Sequence, residues 1–312
     1  MKKPPICFEP RPVASSCPAF EPSSERNTFA LSLIVCSIGR TDKLSRLANS
    51  LALQSWRDFE LVLVDQAEPG VVDQFVADLP FWLTVSRIRT PRGLSRGRNA
   101  GLRVARGAII ALPDDDAWLP NTLVADVIAH FESSPQCAFI CGVTRDATGN
   151  LSNGTFLGRQ SEIDRTNVFR SGNSNAIFVR IEAMRAVGGF NESLGVGAGT
   201  PFGAGEETDL MLRLLQAGES GLFLPELMVH HDQISPVQQK LNGEAFLQRA
   251  TTYAQGYGRV LRLHGYSRFF VLWKIFRNIG ALILALLRVD IAEARRRWRW
   301  VTGIARGYWS KV

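Results

Sequence analysis

Four groups of residues in this chain carry side chains that chemistry uses. The first is Asp114, Asp115 and Asp116 in "ALPDDDAWLP", directly after an apolar run. Two unit charges about 5 Å apart repel by about 3 kcal/mol at an effective dielectric near 20, and less when exposed. Three adjacent carboxylates therefore call for a cation. Asp114 and Asp116, two apart, leave an extended strand on the same side. Their oxygens suit a hard divalent ion that keeps positions open for water and phosphate oxygens. Mg²⁺ or Mn²⁺ fits better than Zn²⁺, because no Cys or His lies alongside. The competing reading is a solvated acidic turn that caps the next helix.

The second group is Glu206, Glu207 and Asp209 in "GAGEETDL", at a helix start. Acids there favour the macrodipole and cap the first turn. A carboxylate in that place also stays ionised, and can take a proton from an attacking hydroxyl. The glycine run before it, Gly195 to Gly205, suits a loop that closes over a ligand. It is no P-loop, since no Gly-Lys-Ser/Thr ends it. The third group is Arg92, Arg96 and Arg98 in "RGLSRGRNAGL". Guanidinium groups pair well with phosphate oxygens, and Asn99 suits a base or sugar; the plain alternative is a basic surface loop. The fourth is His230 and His231 at a strand end, either metal or phosphate contacts or structural histidines.

These groups need a scaffold, and the hydrophobic pattern supplies one. "ALSLIVCSI", "FELVLVDQ", "LTVSRIRT" and "GAIIALPDDD" read as strands. The helical patterns "DKLSRLANSLALQSW", "GVVDQFVADL" and "GLSRGRNAGLRVA" fall between them, the first with Leu44, Leu47, Leu51 and Leu53 on its buried side. Strand–helix alternation at this spacing argues for a doubly wound, mostly parallel α/β sheet. In such sheets ligands sit beyond the carboxyl ends of the strands. Asp65 and the Asp114–Asp116 run both fall there. Further on, "NTLVADVIAHFESS", "IEAMRAVGGF" and "DLMLRLLQA" read as helices, and "CAFICGVT", "SNAIFVR" and "SGLFLPELMVHHDQ" as strands. The polar stretch from about 145 to 170 shows no strong periodicity.

The totals set the class. The chain has 312 residues, 46% of them hydrophobic and 21% charged, which is a globular composition with enough apolar material for a core. The net charge of +7 is densest in the C-terminal "EARRRWRWVTGIARGYWSK" and favours anionic partners. Nucleic acid is not among those expected, because no aromatic reading platform accompanies the basic residues. Five cysteines without a C-x-x-C pair suggest buried thiols in a reducing compartment. The start "MKKPPICFEPRPVASSCPAFEPSSERN" lacks an apolar segment, so residues 1–28 read as a flexible arm rather than a signal peptide, and the protein as cytoplasmic.

A boundary is expected near 265, with the α/β domain at 29–265 and a basic amphipathic helical tail at 266–312. In "RFFVLWKIFRNIGALILALLRVD" about a dozen apolar residues at about −0.3 to −0.6 kcal/mol each roughly cancel Lys274 and Arg277 at about 2.5 to 3.5 each, so insertion across a bilayer is marginal. On a helix Lys274, Arg277, Asn278, Ala281, Ala285 and Arg288 share one face. Leu272, Ile275, Phe276, Ile279, Leu282, Ile283, Leu286 and Leu287 share the other. That pattern suits a helix lying in the bilayer interface, with Arg295 to Arg299 and nearby tryptophans on anionic headgroups. The alternative is a helix packed on the α/β domain.

Taken in order, "LSLIVCSIGR", "LVLVDQ", "GLSRGRNAGL", "GAIIALPDDDAW", "GNSNAIFVR", "VGGFNE", "GAGEETDLMLRLLQAG" and "PELMVHH" resemble the segments of glycosyltransferase family 2, from about Leu31 to about Gln233. The resemblance implies a GT-A, Rossmann-like fold and inverting transfer of a sugar from a nucleotide-sugar donor, a UDP-sugar first among them, with Mn²⁺ or Mg²⁺. Asp65, Arg40, Arg98, Asn99 and Asp114 would contact the donor. Asp116, Asp114 and a late histidine, His231 or else His230, would hold the metal. Glu207 stands where the family has its base, often an Asp, and Glu206 and Asp209 would orient it or touch the acceptor. The first loop, "CSIGRTDKL", departs from the Thr or Asn that many members carry beside Arg. The implied role is cell-surface polysaccharide or glycolipid synthesis on a glycan or lipid-linked acceptor, at the inner face of the membrane. The rivals are a nucleotidyltransferase and a non-catalytic, membrane-attached nucleotide-binding protein.

Overall fold

A computed structural model describes residues 28–233 and 243–310. The expected N-terminal arm lies outside the described residues, as do Cys7 and Cys17. Two compact units make up the rest, one of residues 28–192 with 206–233, the other of 193–205 with 243–310.

The first unit is built on one mixed sheet. Its strands are β1 (Phe29–Ser37), β2 (Phe59–Asp65), β3 (Thr84–Arg89), β4 (Gly107–Ala111), β5 (Ala117–Trp118), β6 (Cys137–Arg145), β7 (Ser161–Glu162), β8 (Ile177–Arg180) and β9 (Ser220–His231). They lie in the order β3-β2-β1-β4-β8-β6-β9-β5, with β7 paired to β9. The stretch β3-β2-β1-β4 is parallel, in register Leu33↔Leu61 and Leu33↔Ala111. β8 runs against both its neighbours, while β6 and β9 are parallel. The central strands are buried on both faces, as continuous apolar runs such as "LVLV" require.

Helices α1 (Thr41–Ala52), α2 (Asp73–Ala77), α3 (Leu94–Val104), α4 (Leu123–Ser133), α5 (Ile181–Ala186) and α6 (Glu206–Gln216) follow the expected places. Leu44, Leu47 and Leu51 of α1 are buried, but the helix ends at Ala52 and leaves Leu53 exposed, unlike the expected buried stripe. The apolar core gathers Leu33, Val35, Leu63 and Ile140 from the sheet with Leu47, Val127 and Phe131 from helices. The two-residue strands β5 and β7 and a 3₁₀ turn at Val168–Arg170 had no periodic signal.

The second unit is helical: α7 (Gly243–Leu263), α8 (Arg268–Leu287) and α9 (Ile291–Trp309). The boundary expected near 265 differs from this division, because α7 packs with α9, which also packs with α8. Glycines make that packing close. A Cβ on Gly307 would stand 2.0 Å from Gln255 O, and one on Gly258 2.3 Å from Ile304 O. The segment 193–205, expected as a mobile lid, is docked on α7: Gly203 N donates to Thr252 O (3.1 Å), and a Cβ on Gly256 would stand 2.1 Å from Ala204 O. Phe202 is buried there.

Helix α8 is turned the opposite way to a helix of a water-facing bundle. Of its residues only Val271 and Ala285 are buried, and the strip with Lys274, Asn278 and Ala281 faces inward. Arg297 Nη1 of α9 donates to Asn278 Oδ1 (3.4 Å). The turn from α8 to α9 places Val289 at φ +56°, a left-handed conformation that a β-branched residue rarely adopts.

Candidate functional site

Strand β4 ends at Ala111, so the three aspartates stand on a turn beyond it, not on the strand itself. The turn closes with Ala117 N donating to Asp114 O (3.1 Å). Asn175, buried just before β8, grips it: Asp114 N donates to Asn175 Oδ1 (2.6 Å), and Asn175 Nδ2 donates to Asp114 Oδ2 (2.9 Å). Short strand β5 then pairs with the end of β9, in register Ala117↔His231 and Trp118↔His230. That pairing carries His231 to the aspartates.

Each carboxylate has a cationic partner. Arg98 of α3 donates to Asp114 Oδ1 (3.2 Å). Arg40, at the start of α1, bonds Asp115 and also donates to Asp116 Oδ2 (2.5 Å). His231 Nε2 lies 3.2 Å from Asp116 Oδ1. The expected repulsion is therefore met in part by the protein's own arginines. Asp115 faces inward, takes a hydrogen bond from Ser37 Oγ (2.6 Å) and is held above the usual carboxylate range by burial, with Arg40 pulling the other way. Burial would raise Asp116 too, but the His231 hydrogen bond and Arg40 outweigh it and leave its carboxyl below the usual range. Burial disfavours the charged imidazole of His231, yet Asp116 and Asp114 outweigh this and raise it.

Asp114, Asp116 and His231 offer ligand atoms that all lie within 4.8 Å of one another. Two carboxylate oxygens and one imidazole nitrogen form a donor set that fits Mn²⁺ or Mg²⁺, with Mn²⁺ the more tolerant of nitrogen. His230 turns elsewhere: its ring stacks on Trp118 (centroids 5.0 Å, planes 11° apart), and the Arg46 guanidinium covers that indole.

Helix α6 brings the second carboxylate group. Glu206 is 5% exposed, and Arg98 Nη1 donates to its Oε1 at 3.2 Å. One buried guanidinium thus joins Glu206 to Asp114. Burial, with repulsion from Glu207, pushes the Glu206 carboxyl up to about 8, against the pull of Arg98. Glu207, the next residue, is half-buried. Asp209 accepts from Arg213 Nε (2.9 Å), an i,i+4 pair inside α6, and Arg213 in turn donates to Val187 O and Gly189 O. Asp209 is thereby tied into the fold behind the two glutamates.

Other residues picked out by sequence hold different positions. Asp65 is fully buried at the end of β2; its Oδ1 accepts from Ala67 N (3.0 Å) and its Oδ2 from Arg87 Nη2 (2.7 Å). Asn99 is buried and pins α3 to the 190–192 segment: it donates to Phe190 O and Glu192 Oε1 and accepts from Phe190 N. That corrects the picture of Asn99 as a side chain open to a base or sugar. Arg98 is 1% exposed and engaged with two carboxylates, so it too is no open phosphate hook. Arg96 lies 3.6 Å from Glu192. Sequence reasoning missed Asn175 and Ser37 as partners of the aspartates. The signal for Asn175 was its place in "GNSNAIFVR".

Comparison with known proteins bears on family and fold. Residues 32–181 match the family described as glycosyl transferase family 2. An uncharacterized glycosyltransferase of Haemophilus influenzae is 34% identical over 113 residues, 35% of this chain and 37% of that protein. The uncharacterized glycosyltransferase YfnE of Bacillus subtilis is 35% identical over 106 residues, 31% of this chain and 26% of its own. The matches thus span well under half the length of either relative. Among solved structures, the mannosyltransferase PcManGT of Pyrobaculum calidifontis, in complex with GDP-Man and Mn²⁺, has a TM-score of 0.62 at 16% identity, over 96% of this chain and 92% of that one. Residues 1–349 of S. aureus TarS, in complex with UDP-GlcNAc, give 0.56 at 16% identity, over 88% and 90%. At that identity the likeness is one of fold, the GT-A α/β type with a helical C-terminal region.

Proposed function

We propose, on the match of residues 32–181 to glycosyltransferase family 2, that the chain is a member of that family and transfers a sugar, with inversion, from a nucleotide-sugar donor to a hydroxyl of a glycan or lipid-linked acceptor. The observation that carries this reading is the convergence of Asp114, Asp116 and His231, joined through Arg98 to Glu206 and so to the start of α6. The solved relatives that hold GDP-Man with Mn²⁺ and UDP-GlcNAc support a nucleotide-sugar donor, for which a UDP-sugar is the first candidate.

Asp116, Asp114 and His231 would hold the divalent ion, which supplies Lewis-acid stabilisation of a departing nucleoside diphosphate. Arg40, 45% exposed at its side chain and already seated on Asp115 and Asp116, is the guanidinium free enough in space to turn toward phosphate oxygens. Glu207 takes the proton of the acceptor hydroxyl. The new bond from that oxygen to the anomeric carbon forms as the bond to the diphosphate oxygen breaks, so one displacement inverts the centre. Glu206, held neutral below about pH 8, adds no second negative charge beside Glu207. Asp65, at the end of β2, reaches a nucleobase or ribose by exchanging its Arg87 partner.

The proposed setting is cell-surface polysaccharide or glycolipid synthesis, with the protein in the cytoplasm and attached to the inner face of the membrane. The exposed apolar side of α8 supports the attachment. Thermal-shift titration with nucleoside diphosphates and their sugars, with and without Mn²⁺, tests donor and metal together. Glu207→Gln is expected to lower turnover by about 10²-fold or more while sparing donor binding. Full turnover in that variant would retire the base, and release of pyrophosphate from a nucleoside triphosphate and a sugar phosphate would make the protein a nucleotidyltransferase.

A further inference from the structure

Helix α8 exposes what a soluble protein buries. Phe269 is 81% exposed, Phe276 72% and Leu287 75%. With Leu272, Ile283 and Leu284, also exposed, they recur at three- and four-residue spacing and form one stripe along the helix. An apolar stripe of this length is rare on a monomer in free solution and marks a surface with a partner. The side that would ordinarily face water is turned inward, with Asn278 bonded to Lys274 O (3.0 Å) and to Arg297 of α9.

We infer that α8 lies flat in the interface of an anionic bilayer, its outward stripe submerged among the acyl chains and its basic rim on the headgroups, and that it does not cross the membrane. The rim is on the same helix. Arg268, Arg277 and Arg288 are exposed along the edges of the stripe. Arg277 lies 5.0 Å from the Trp273 ring centroid, and Lys274 lies 5.3 Å from it. Basic groups paired with an indole match the boundary between headgroup and chain, where amphipathic side chains keep their charge in water and their body in oil. The same rim disfavours a second copy of this chain as the occupant, because a face-to-face pair would bring like charges together.

Flat orientation follows from α9. Asn278 stands at the middle of α8, and its partner Arg297 is bonded to Glu293, as is Arg296. Were α8 a span, this charged cluster would ride at the centre of the hydrocarbon, where each Arg is strongly disfavoured. With α8 in the plane of the interface, α9 stays above it in water. The inference gives the membrane attachment proposed above a defined surface and is independent of the transfer chemistry.

The test uses the full chain carrying a C-terminal peptide tag. It is mixed with preformed vesicles, either of equal parts phosphatidylcholine and phosphatidylglycerol or of phosphatidylcholine alone. The wild type is expected to float with the anionic vesicles and bind the neutral ones far less. Phe276→Glu/Leu287→Glu is expected to bind the anionic vesicles at least about tenfold more weakly. Both positions are exposed, so the variant keeps its melting temperature and its Mn²⁺-dependent nucleoside diphosphate binding. Protease added outside should remove the tag from vesicle-bound protein. Undiminished binding by the variant, equal binding to both vesicles, or no binding by the wild type would overturn the inference. So would a protected tag, which means a span, or a solution dimer that the double variant dissociates, which means a self-interface. Loss of nucleotide binding with vesicle binding intact would instead count against the proposed enzyme alone.

Discussion

Arg98 joins two carboxylates of the candidate site. It is 1% exposed and has a carboxylate on either hand, Asp114 and Glu206, each at 3.2 Å. Removing a buried partner strands the charge it neutralised, so Arg98→Met should cost about 3 to 5 kcal/mol in urea unfolding. Glu206 itself gives a pH signature. Its folded carboxyl titrates near 8, above its unfolded value of 4.5, so the folded chain holds a proton that the unfolded chain has released. That contribution to stability is complete below the unfolded value and is lost as pH rises through the folded one. The melting temperature of the wild type should therefore fall between about pH 5 and pH 8 relative to Glu206→Gln, as a parallel melting series would show; parallel curves would mean that Glu206 is ionised throughout. The two-residue spacing of Asp114 and Asp116, and the run of three helix-start acids, made most of this site legible in sequence. Asn175 and Ser37 were not legible. Asn175, in the turn before β8, and Ser37, at the end of β1, reach the aspartates from 61 and 78 residues away, and beyond the "GNSNAIFVR" motif around Asn175 neither carries a local spacing that marks its partner.

At the level of elements, the parallel half of the sheet could be read because buried strands are uninterrupted apolar runs and the helices between them keep a 3.6-residue period. Strands β5 and β7 could not, being two residues each. Helix α7 escaped for a different reason. Its sequence, "GEAFLQRATTYAQGYGRVLRL", contains glycines that lower helix propensity and blur the pattern. The structure shows their use: Gly256 admits the backbone of Ala204, and Gly258 admits α9. The same holds from the other side, where Gly307 meets Gln255 O. Gly307→Ala should destabilise the helical unit by about 1 to 3 kcal/mol, because the obstacle is a backbone carbonyl that no rotamer change can move. Chemical denaturation followed by helix signal would measure it. An unchanged midpoint would mean that α7 and α9 separate without cost.

Across the whole chain, composition and charge pointed to a globular protein with a basic end, and the tail's periodicity sorted its residues onto two faces only in part: Lys274, Asn278, Ala281 and Ala285 share the inward side as expected, but Arg277 and Arg288 are exposed and Ile275 and Leu282 are half-buried. Periodicity is silent about which face turns inward. Small and polar positions such as Ala285 and Asn278 let α9 approach closely, and that decided the orientation against the usual rule. The turn that joins these helices carries a related tension. Val289 is 77% exposed and strained at φ +56°, where glycine would sit at ease. Val289→Gly should raise unfolding free energy by about 1 kcal/mol, visible as a higher melting temperature. On the proposal that α8 lies at a bilayer interface, an apolar, strained residue at the tip of this hairpin exchanges thermal endurance for adhesion. A laboratory selection for heat resistance alone should discard Val289 early, and the survivors should cling less well to lipid.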